Sequence, residues 1–108
     1  MTKAIFFDID GTLLDKEHGI AEITPRVKSA MKKLQSQGNY IFIATGRPYS
    51  FMQKDILDFG FNGFVMSNGA LIFLDGKVFF QSELDSHTVK KVCDFAETEN
   101  IEYMLESY

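Results

Sequence analysis

The sequence predicts an α/β protein built on a parallel sheet with helices on both faces. Three short apolar runs, at residues 4–7, 40–44 and 64–66, are rich in strand-forming side chains, and polar residues follow each of them directly. Segments with a helical spacing of apolar residues separate the runs and give a β-α-β-α-β order. This order is typical of parallel strands joined by right-handed crossovers.

The first strand and the first helix have clear boundaries in the sequence. Residues 4–7 form an unbroken apolar run, which predicts a strand buried on both faces, and a polar loop follows it. Thr24 can cap the next helix, Pro25 suits its first position, and Gly38 can end it in the left-handed conformation. The predicted buried stripe of this helix consists of Val27, Ala30, Met31 and Leu34.

The second crossover follows the same scheme. Residues 40–44 are predicted to form a buried strand, Pro48 to start a second helix, and Gly60 to close it. The third strand, at residues 64–66, then ends in Ser67-Asn68-Gly69. The apolar contacts of the second helix are expected from Phe51, Met52, Ile56 and Phe59.

The rest of the chain predicts a hairpin, a helix and a strand. Residues 70–74 and 77–81 flank Asp75-Gly76, which is the strongest short hairpin signal. Ser86 can cap a third helix, and residues 101–108 alternate like a strand. The stripe of this helix is Val89, Val92, Cys93 and Ala96, which predicts a core position for the cysteine.

A final strand without a partner would be an unprotected edge, and three parallel strands make a small sheet. We therefore expect that these 108 residues are a fragment or that the missing part is supplied from elsewhere, for example at a subunit interface.

Composition excludes several functional classes. A net charge of −4 argues against a nucleic-acid-binding surface, which usually needs a basic face. A single cysteine rules out an internal disulfide and suits a reducing compartment. Residues 4–7 are too short for a signal-peptide core or a membrane span. We expect a cytoplasmic protein without a membrane partner.

Polar side chains at the ends of the three predicted strands are the candidates for function. Ligands of open α/β sheets bind at the carboxyl ends of the strands. These residues, distant in sequence, are therefore expected to meet in one crevice: Asp8, Asp10, Thr45, Arg47 and Asn68.

Asp8 and Asp10 predict a phosphoryl-transfer site. A carboxylate directly after a buried strand is costly unless it is paired, hydrogen-bonded or bound to a metal. Two close carboxylates tend to push their pKa values apart, which suits one as nucleophile and the other as general acid/base. The alternative is that Asp10-Gly11 is only a turn, as Asp75-Gly76 is, but no second strand follows Gly11 and Asp8 stays unexplained.

The polar residues after the second strand are candidates for holding phosphate. The Thr45 hydroxyl, the backbone amides around Gly46 and the dipole of the helix expected at Pro48 would suit phosphoryl oxygens. Arg47 offers a planar fork for the same group. The alternative is an ordinary strand-to-helix turn with a solvated arginine. Asn68-Gly69 likewise has two interpretations: it is a plain turn, or it places the amide of Asn68 at the mouth of the crevice.

Three motifs resemble those of one family. Residues 6–14, FFDIDGTLL, look like the first motif of the haloacid dehalogenase (HAD) superfamily. Residues 44–48, ATGRP, and 67–70, SNGA, resemble its Cof-like branch of sugar-phosphate phosphatases. The resemblance implies a Rossmann-like core whose N-terminal part is residues 1–82. It also implies that residues 83–108 begin an α/β cap domain, with the rest of the cap and core absent.

The family's chemistry follows from the same resemblance. It implies a phosphatase of small phosphorylated metabolites, in which Asp8 forms an aspartyl-phosphate intermediate and Asp10 acts as general acid/base. A Mg²⁺ cofactor would bind the Asp8 carboxylate and the Asp10 backbone carbonyl. Thr45 would contact the phosphoryl group, and three further residues are expected to contact phosphate or substrate: Gly46, Arg47 and Asn68.

The family pattern also needs a lysine and a later acidic pair, and the sequence contains neither motif. We therefore expect the isolated chain to be inactive.

Two other functions stay open: a receiver-like signalling module phosphorylated on aspartate, and a non-catalytic phosphate-binding domain. No acidic residue ends the second or third strand, which weighs against the receiver. The motifs alone do not separate a phosphatase from a phosphomutase.

Overall fold

A computed structural model describes residues 1–107 and contains one five-stranded mixed sheet in the order β1-β2-β3-β4-β5. The first three strands are parallel, and the last two join antiparallel, which confirms both the parallel core and the hairpin. The strands are β1 (Ala4–Phe7), β2 (Tyr40–Ala44), β3 (Gly63–Met66), β4 (Leu71–Leu74) and β5 (Lys77–Gln81).

Helix α1 (Pro25–Ser36) has the predicted ends, but its buried stripe is narrower than expected. The Thr24 hydroxyl accepts a hydrogen bond from the Val27 N–H at 3.4 Å, and Gly38 adopts φ +86° after the last turn. Met31 is buried and Leu34 half-buried, whereas Val27 and Ala30 are exposed. The helix packs mainly on β2, so only the side chains above that strand are covered.

The single second helix predicted from Pro48 is wrong. Residues 49–51 form one 3₁₀ turn, Met52 is extended, and a short α2 (Lys54–Asp58) follows. The guanidinium of Arg47 donates to the Phe51 carbonyl at 3.2 Å, and this bond uses the acceptor that a continuing helix would need. Gly60 ends the segment at φ +107°, as predicted. The expected helix dipole at Pro48 is therefore missing.

The core lies on one face of the sheet. Right-handed crossovers that advance in one direction place their helices on the same side, and strand order here equals chain order. Side chains of both crossover helices accordingly join one buried cluster with the strands, including Met31, Ile56, Ile41, Ile43, Phe64 and Met66. Within residues 1–107, the second helical layer expected from the sequence does not cover the opposite face.

That opposite face, which we call the open face, carries Phe6, Phe42, Val65, Ile72 and Phe80. The rings of Phe6 and Phe42 stack with centroids 4.8 Å apart, but Phe6 stays 56% exposed. The prediction that the first strand is buried on both faces is therefore wrong, because β1 is an edge strand with one uncovered face.

The segment between β1 and α1 was expected to be a polar loop, and it is partly core. The N–H groups of Thr12, Leu13 and Leu14 all donate to the Ile9 carbonyl at 3.0–3.1 Å, and this folds the chain into a tight turn. Gly11 allows the turn at φ +82°. The turn buries Ile9, Leu13 and Leu14, and Ile23 joins them in the cluster.

The hairpin between β4 and β5 turns at Asp75 and Gly76, whose φ angles of +50° and +74° are those of a type I′ turn. Helix α3 (Ser86–Thr98) then begins one residue earlier than predicted. The carboxylate of Asp85, rather than Ser86, caps it by accepting from the Thr88 N–H at 2.9 Å. Of the predicted stripe, only Ala96 is buried.

The predicted final strand is wrong for residues 101–107, which form no regular structure, and Tyr108 lies outside the described residues. A strand needs the N–H and C=O groups of a neighbour, and none of the five strands pairs with this segment. Within the described part of the chain, no helix is both long and apolar enough to cross a membrane.

Candidate active site

The carboxyl ends of β1, β2 and β3 surround a cavity of about 490 Å³. This volume suits a small ligand. Four predicted site residues line it, as the sequence argument expected: Asp8, Thr45, Gly46 and Asn68. Its other walls are Phe6, Ala44, Val65 and Gly69, so it opens beside the open face.

Asp8 lies at the edge of this cavity and is exposed. One carboxylate oxygen accepts the Ile9 N–H at 2.7 Å, and the other has no hydrogen bond within residues 1–107. The cost of burial predicted for this carboxylate does not arise, since β1 is an edge strand and its end is solvated. Asp8 therefore has a free oxygen at the cavity.

Thr45 is the buried polar side chain of the site, with 7% of its surface exposed. Its N–H donates to the Val65 carbonyl at 2.9 Å, which extends the β2–β3 pairing by one residue. Its hydroxyl oxygen accepts from the Arg47 N–H at 3.1 Å. Because the oxygen is used as an acceptor, the hydroxyl proton can be donated to a ligand in the cavity.

Two loops are joined into one unit at the cavity. The Ser67 N–H donates to the Arg47 carbonyl at 3.0 Å, and the Asn68 N–H donates to the Thr45 carbonyl at 3.2 Å. Ser67 and Asn68 adopt φ +49° and +54° to make these bonds. Left-handed residues other than glycine cost about 1–3 kcal/mol each and persist where the surrounding structure holds them.

Gly46 allows the two loops to approach closely. A Cβ at this position would lie 3.1 Å from the Asn68 Oδ1 atom. The Gly46 N–H has no hydrogen-bond acceptor within residues 1–107. The Thr45 hydroxyl and this amide are therefore two donors on one cavity wall, which suits an anionic ligand.

Asp10 and Arg47 are not on the cavity wall but form an ion pair beside it. Arg47 Nη2 donates to one Asp10 carboxylate oxygen at 2.6 Å, and Nε donates to the other at 2.8 Å. In this bidentate pair the edge of the guanidinium that would fit phosphate is engaged by Asp10, and the role of Arg47 as a phosphate contact stays a prediction.

The ion pair also changes the electrostatics expected for the two aspartates. The hydrogen bonds from Arg47 lower the pKa of Asp10, the charges of Arg47 and Lys16 act in the same direction, and partial burial opposes them. The sequence predicts that a neighbouring carboxylate shifts this pKa. A cation controls it instead, so Asp10 is held in the ionised form.

The donors present fit a hard divalent cation such as Mg²⁺. Asp8 has one free carboxylate oxygen, and no donor within residues 1–107 bonds the Asp10 carbonyl. Mg²⁺ prefers oxygen ligands and is often held by one or two protein groups together with water and substrate phosphate. Among the described residues, no cluster of three or more His, Cys, Asp or Glu side chains exists, which fits a cation held by few protein groups.

The chain is similar to known proteins in sequence and in fold. The sequence model of the haloacid dehalogenase-like hydrolases matches residues 5–108. The solved structure of BT1666 from Bacteroides thetaiotaomicron, described among phosphatases of the HAD superfamily, has a TM-score of 0.79 at 30% identity over 93% of this chain and 37% of its own. The HAD subclass IIB sugar phosphatase BT4131 has a TM-score of 0.73 at 32% identity over 90% of this chain and 38% of its own.

Sequence relatives have similar names. The HMP-PP phosphatase of Klebsiella pneumoniae is 32% identical over 94 residues, which cover 85% of this chain and 34% of that protein. The phosphatase YwpJ of Bacillus subtilis is 27% identical over 103 residues, covering 94% of this chain and 35% of that protein. The chain spans about a third of the length of the curated relatives it matches.

Proposed function

This chain belongs to the haloacid dehalogenase-like hydrolase family, and on that premise we propose that the protein is a Mg²⁺-dependent phosphatase of small phosphorylated metabolites, such as sugar phosphates. The observation that carries the proposal is the cavity at the strand ends, where an aspartate with a free carboxylate oxygen faces a wall of hydrogen-bond donors. A nucleophile opposite anion-binding donors is the arrangement that phosphoryl transfer needs.

In the first step, a carboxylate oxygen of Asp8 attacks phosphorus and forms an aspartyl-phosphate as the bond to the ester oxygen breaks. Asp10 has to enter this step protonated, although the contact with Arg47 favours its ionised form in the ligand-free site, and it gives that proton to the leaving oxygen. In the second step, Asp10 takes a proton from water, whose oxygen attacks phosphorus. The bond to Asp8 breaks, and inorganic phosphate leaves with the carboxylate restored.

The cavity wall supplies binding in both steps. The Thr45 hydroxyl and the Gly46 amide would donate to phosphoryl oxygens, and Asn68 would contact phosphate or substrate from the adjoining loop. The free Asp8 oxygen and the Asp10 carbonyl would hold Mg²⁺. When bound, the ion neutralises negative charge between the carboxylate and the phosphate.

We also propose that residues 1–82 belong to the catalytic core and that residues 83–108 begin a cap over it. A groove of about 620 Å³ supports this division, because its walls come from both parts. Pro48, Ser67 and Ala70 line it from the core side, and Leu84 and Val89 line it from the other. A cap at this place would cover the leaving group of the substrate.

The test uses the full-length protein that carries this sequence, with p-nitrophenyl phosphate and Mg²⁺. We expect turnover in the presence of Mg²⁺ and none after chelation by EDTA. The Asp8→Asn variant should turn over at least about 10³-fold more slowly, since no covalent intermediate can form. Asp75→Asn is the matched control, because the same change at the hairpin turn lies away from the cavity. Asp10→Asn should be slowed by about 10²–10⁴-fold.

Three outcomes would contradict the proposal. They are full activity of Asp8→Asn, activity without a divalent cation, and a stable phosphorylated protein that releases no inorganic phosphate. The last outcome would instead favour a phosphoaspartate signalling module.

A further inference from the structure

The groove of about 620 Å³ has apolar walls and two carboxylates, and this chemistry limits which phosphate esters it can accept. We propose that Glu83 and Glu106 are specificity-determining residues, which select a leaving group that has an apolar part and carries no second negative charge. The inference rests on the proposed function, because it assumes an ester with its phosphoryl group in the cavity and its leaving group in the groove.

The groove and the cavity share one wall, the turn at residues 67–70. Ser67 and Ala70 line the groove, whereas Asn68 and Gly69, which lie between them in the chain, line the cavity. The volume of the groove is in the range of small-molecule sites. A single ester can therefore extend from one space into the other.

The side of the groove that lies away from the core is apolar. It carries Leu84, Met104 and Leu105, which are 75%, 73% and 65% exposed. Exposed apolar side chains that line a concave surface are suited to the apolar part of a ligand. This wall therefore favours a leaving group with an apolar portion.

The segment that carries two of these side chains is held on both sides. Before it, the Tyr103 hydroxyl donates to the Glu97 carboxylate at 2.8 Å, which connects the segment to α3. After it, the Ser50 hydroxyl donates to the Ser107 carbonyl at 3.5 Å, which connects it to the core side. Residues 104–106 are thus kept beside the groove although they form no regular structure.

The charged groups of the groove are both negative. Glu83 and Glu106 line it, and neither forms an ion pair within residues 1–107. Glu83 accepts a hydrogen bond from the Gln81 amide at 3.2 Å, which leaves its charge in place. None of the described residues that line the groove or the cavity is Lys, Arg or His. A carboxylate or second phosphate on the leaving group would therefore meet like charge without a compensating cation.

The test compares esters of similar shape in the full-length protein. They are benzyl phosphates with a methyl, an aminomethyl or a carboxylate group in the para position. For the wild type we expect kcat/KM on the methyl and aminomethyl esters to exceed that on the carboxylate ester by about tenfold or more. The difference should shrink as the ionic strength rises, because the groove is open to solvent.

The double variant Glu83→Gln and Glu106→Gln removes both charges with little change of shape. The ratio of kcat/KM for the methyl ester to that for the carboxylate ester should fall to between about one and three. The double variant Glu99→Gln and Glu102→Gln is the matched control. It removes two charges from exposed residues that do not line the groove, so the ratio should keep its wild-type value.

Leu84→Asn tests the apolar part of the inference. The side chain is exposed, so the substitution removes little packing. The reference substrate is methyl phosphate, whose leaving group is a single carbon. The ratio of kcat/KM for the methylbenzyl ester to that for methyl phosphate should fall about three- to tenfold.

Three outcomes would overturn the inference while leaving the phosphatase intact. They are equal rates of the wild type on the three benzyl esters, a charge selectivity that the Glu83 and Glu106 substitutions leave unchanged or that the control variant loses equally, and a Leu84→Asn ratio equal to that of the wild type. If the wild type releases no phosphate from p-nitrophenyl phosphate or from any benzyl ester, the proposed function fails first and the inference with it.

Discussion

Asp8 and Asp10 have different surroundings although a single residue separates them. In an extended chain the side chains of residues 8 and 10 would share one face. The tight turn on the Ile9 carbonyl ends the extended chain here, so Asp8 lies at the cavity while Asp10 pairs with Arg47. Ile9 between them is fully buried and anchors the turn through its carbonyl. One short motif thus contributes one carboxylate to the cavity wall and another to an ion pair.

The ion pair predicts a pH dependence of stability. Because the folded-state pKa of Asp10 is lowered from 3.8, its contribution is present above that value and is lost as the pH falls through the lower folded value. We expect Arg47→Gln to lower the free energy of unfolding at pH 7 by less than about 1 kcal/mol, since the pair is partly solvated. The difference should shrink toward pH 3.

Urea unfolding at pH 7, 5 and 3 measures this effect, with Arg26→Gln as the control for the loss of one positive charge. A stability difference that grows on acidification would contradict the assigned sign. A difference independent of pH would mean that Arg47 stabilises only through its contact with the Phe51 carbonyl.

The close approach at Gly46 gives a second prediction at the residue scale. A Cβ there meets Asn68 Oδ1 at 3.1 Å, so Gly46→Ala should cost about 1 kcal/mol of stability and weaken binding of inorganic phosphate. The double variant with Asn68→Gly removes the obstructing side chain and should recover most of the stability. Thermal unfolding of all four proteins in the cycle measures the coupling. Additive effects would show that the two residues do not crowd each other.

Among the elements, the β4–β5 hairpin depends on its turn. Asp75 and Gly76 both have positive φ, which an L side chain adopts only at a cost. We expect Gly76→Ala to lower the free energy of unfolding by about 1 kcal/mol. Asp75→Asn should change it by a few tenths at most, because asparagine tolerates this conformation. Denaturant titration measures both, and an unaffected Gly76→Ala would contradict the turn type.

The sequence predicts the strands and turns of this protein more accurately than its helices. The first two strands and β5 have the predicted bounds, β3 and β4 differ by one residue, and the Asp75-Gly76 turn is confirmed. These features depend on neighbouring residues. The break in the second helix depends on an arginine reaching the Phe51 carbonyl, and the buried turn after β1 depends on packing, so local patterns do not reveal them.

The same distinction holds for the site. Parallel strands bring their carboxyl ends together, so the meeting of Asp8, Thr45 and Asn68 followed from strand order. The pairing of Arg47 with Asp10 could not be predicted from the sequence. The two residues lie 37 positions apart, and a guanidinium suits phosphate and carboxylate equally. Which charged residues pair with each other depends on the tertiary structure. The catalytic roles of Asp8 and Asp10 stay predictions.

At the scale of the whole molecule, the two faces of the sheet differ. One is packed by α1 and α2, while the open face presents Phe6 and Phe80 at 56% and 48% exposure. Contiguous exposed apolar surface is a binding surface for other apolar groups. We expect the folded chain to bind the dye ANS at neutral pH and to do so less after Phe80→Lys.

Dye fluorescence and far-UV circular dichroism together test this. Phe80→Lys should reduce the fluorescence with little change in the dichroism, because its side chain has few contacts to lose. Ile43→Lys, on the packed face, should unfold the chain since that side chain is fully buried. A wild type that binds no dye would show that the open face is covered in solution.

Strand order that equals chain order also bears on how the protein is made. Each strand pairs with the one synthesised just before it, so no strand has to be inserted later between neighbours that have already met. The longest delay is the first, since Ala4 pairs opposite Tyr40. After that, β3 adds across the crossover of residues 45–62. The strands β4 and β5 then add to the growing edge through short connections, the kind of local assembly that folds fast. The sheet can therefore form from its N-terminal side while the chain is still emerging from the ribosome.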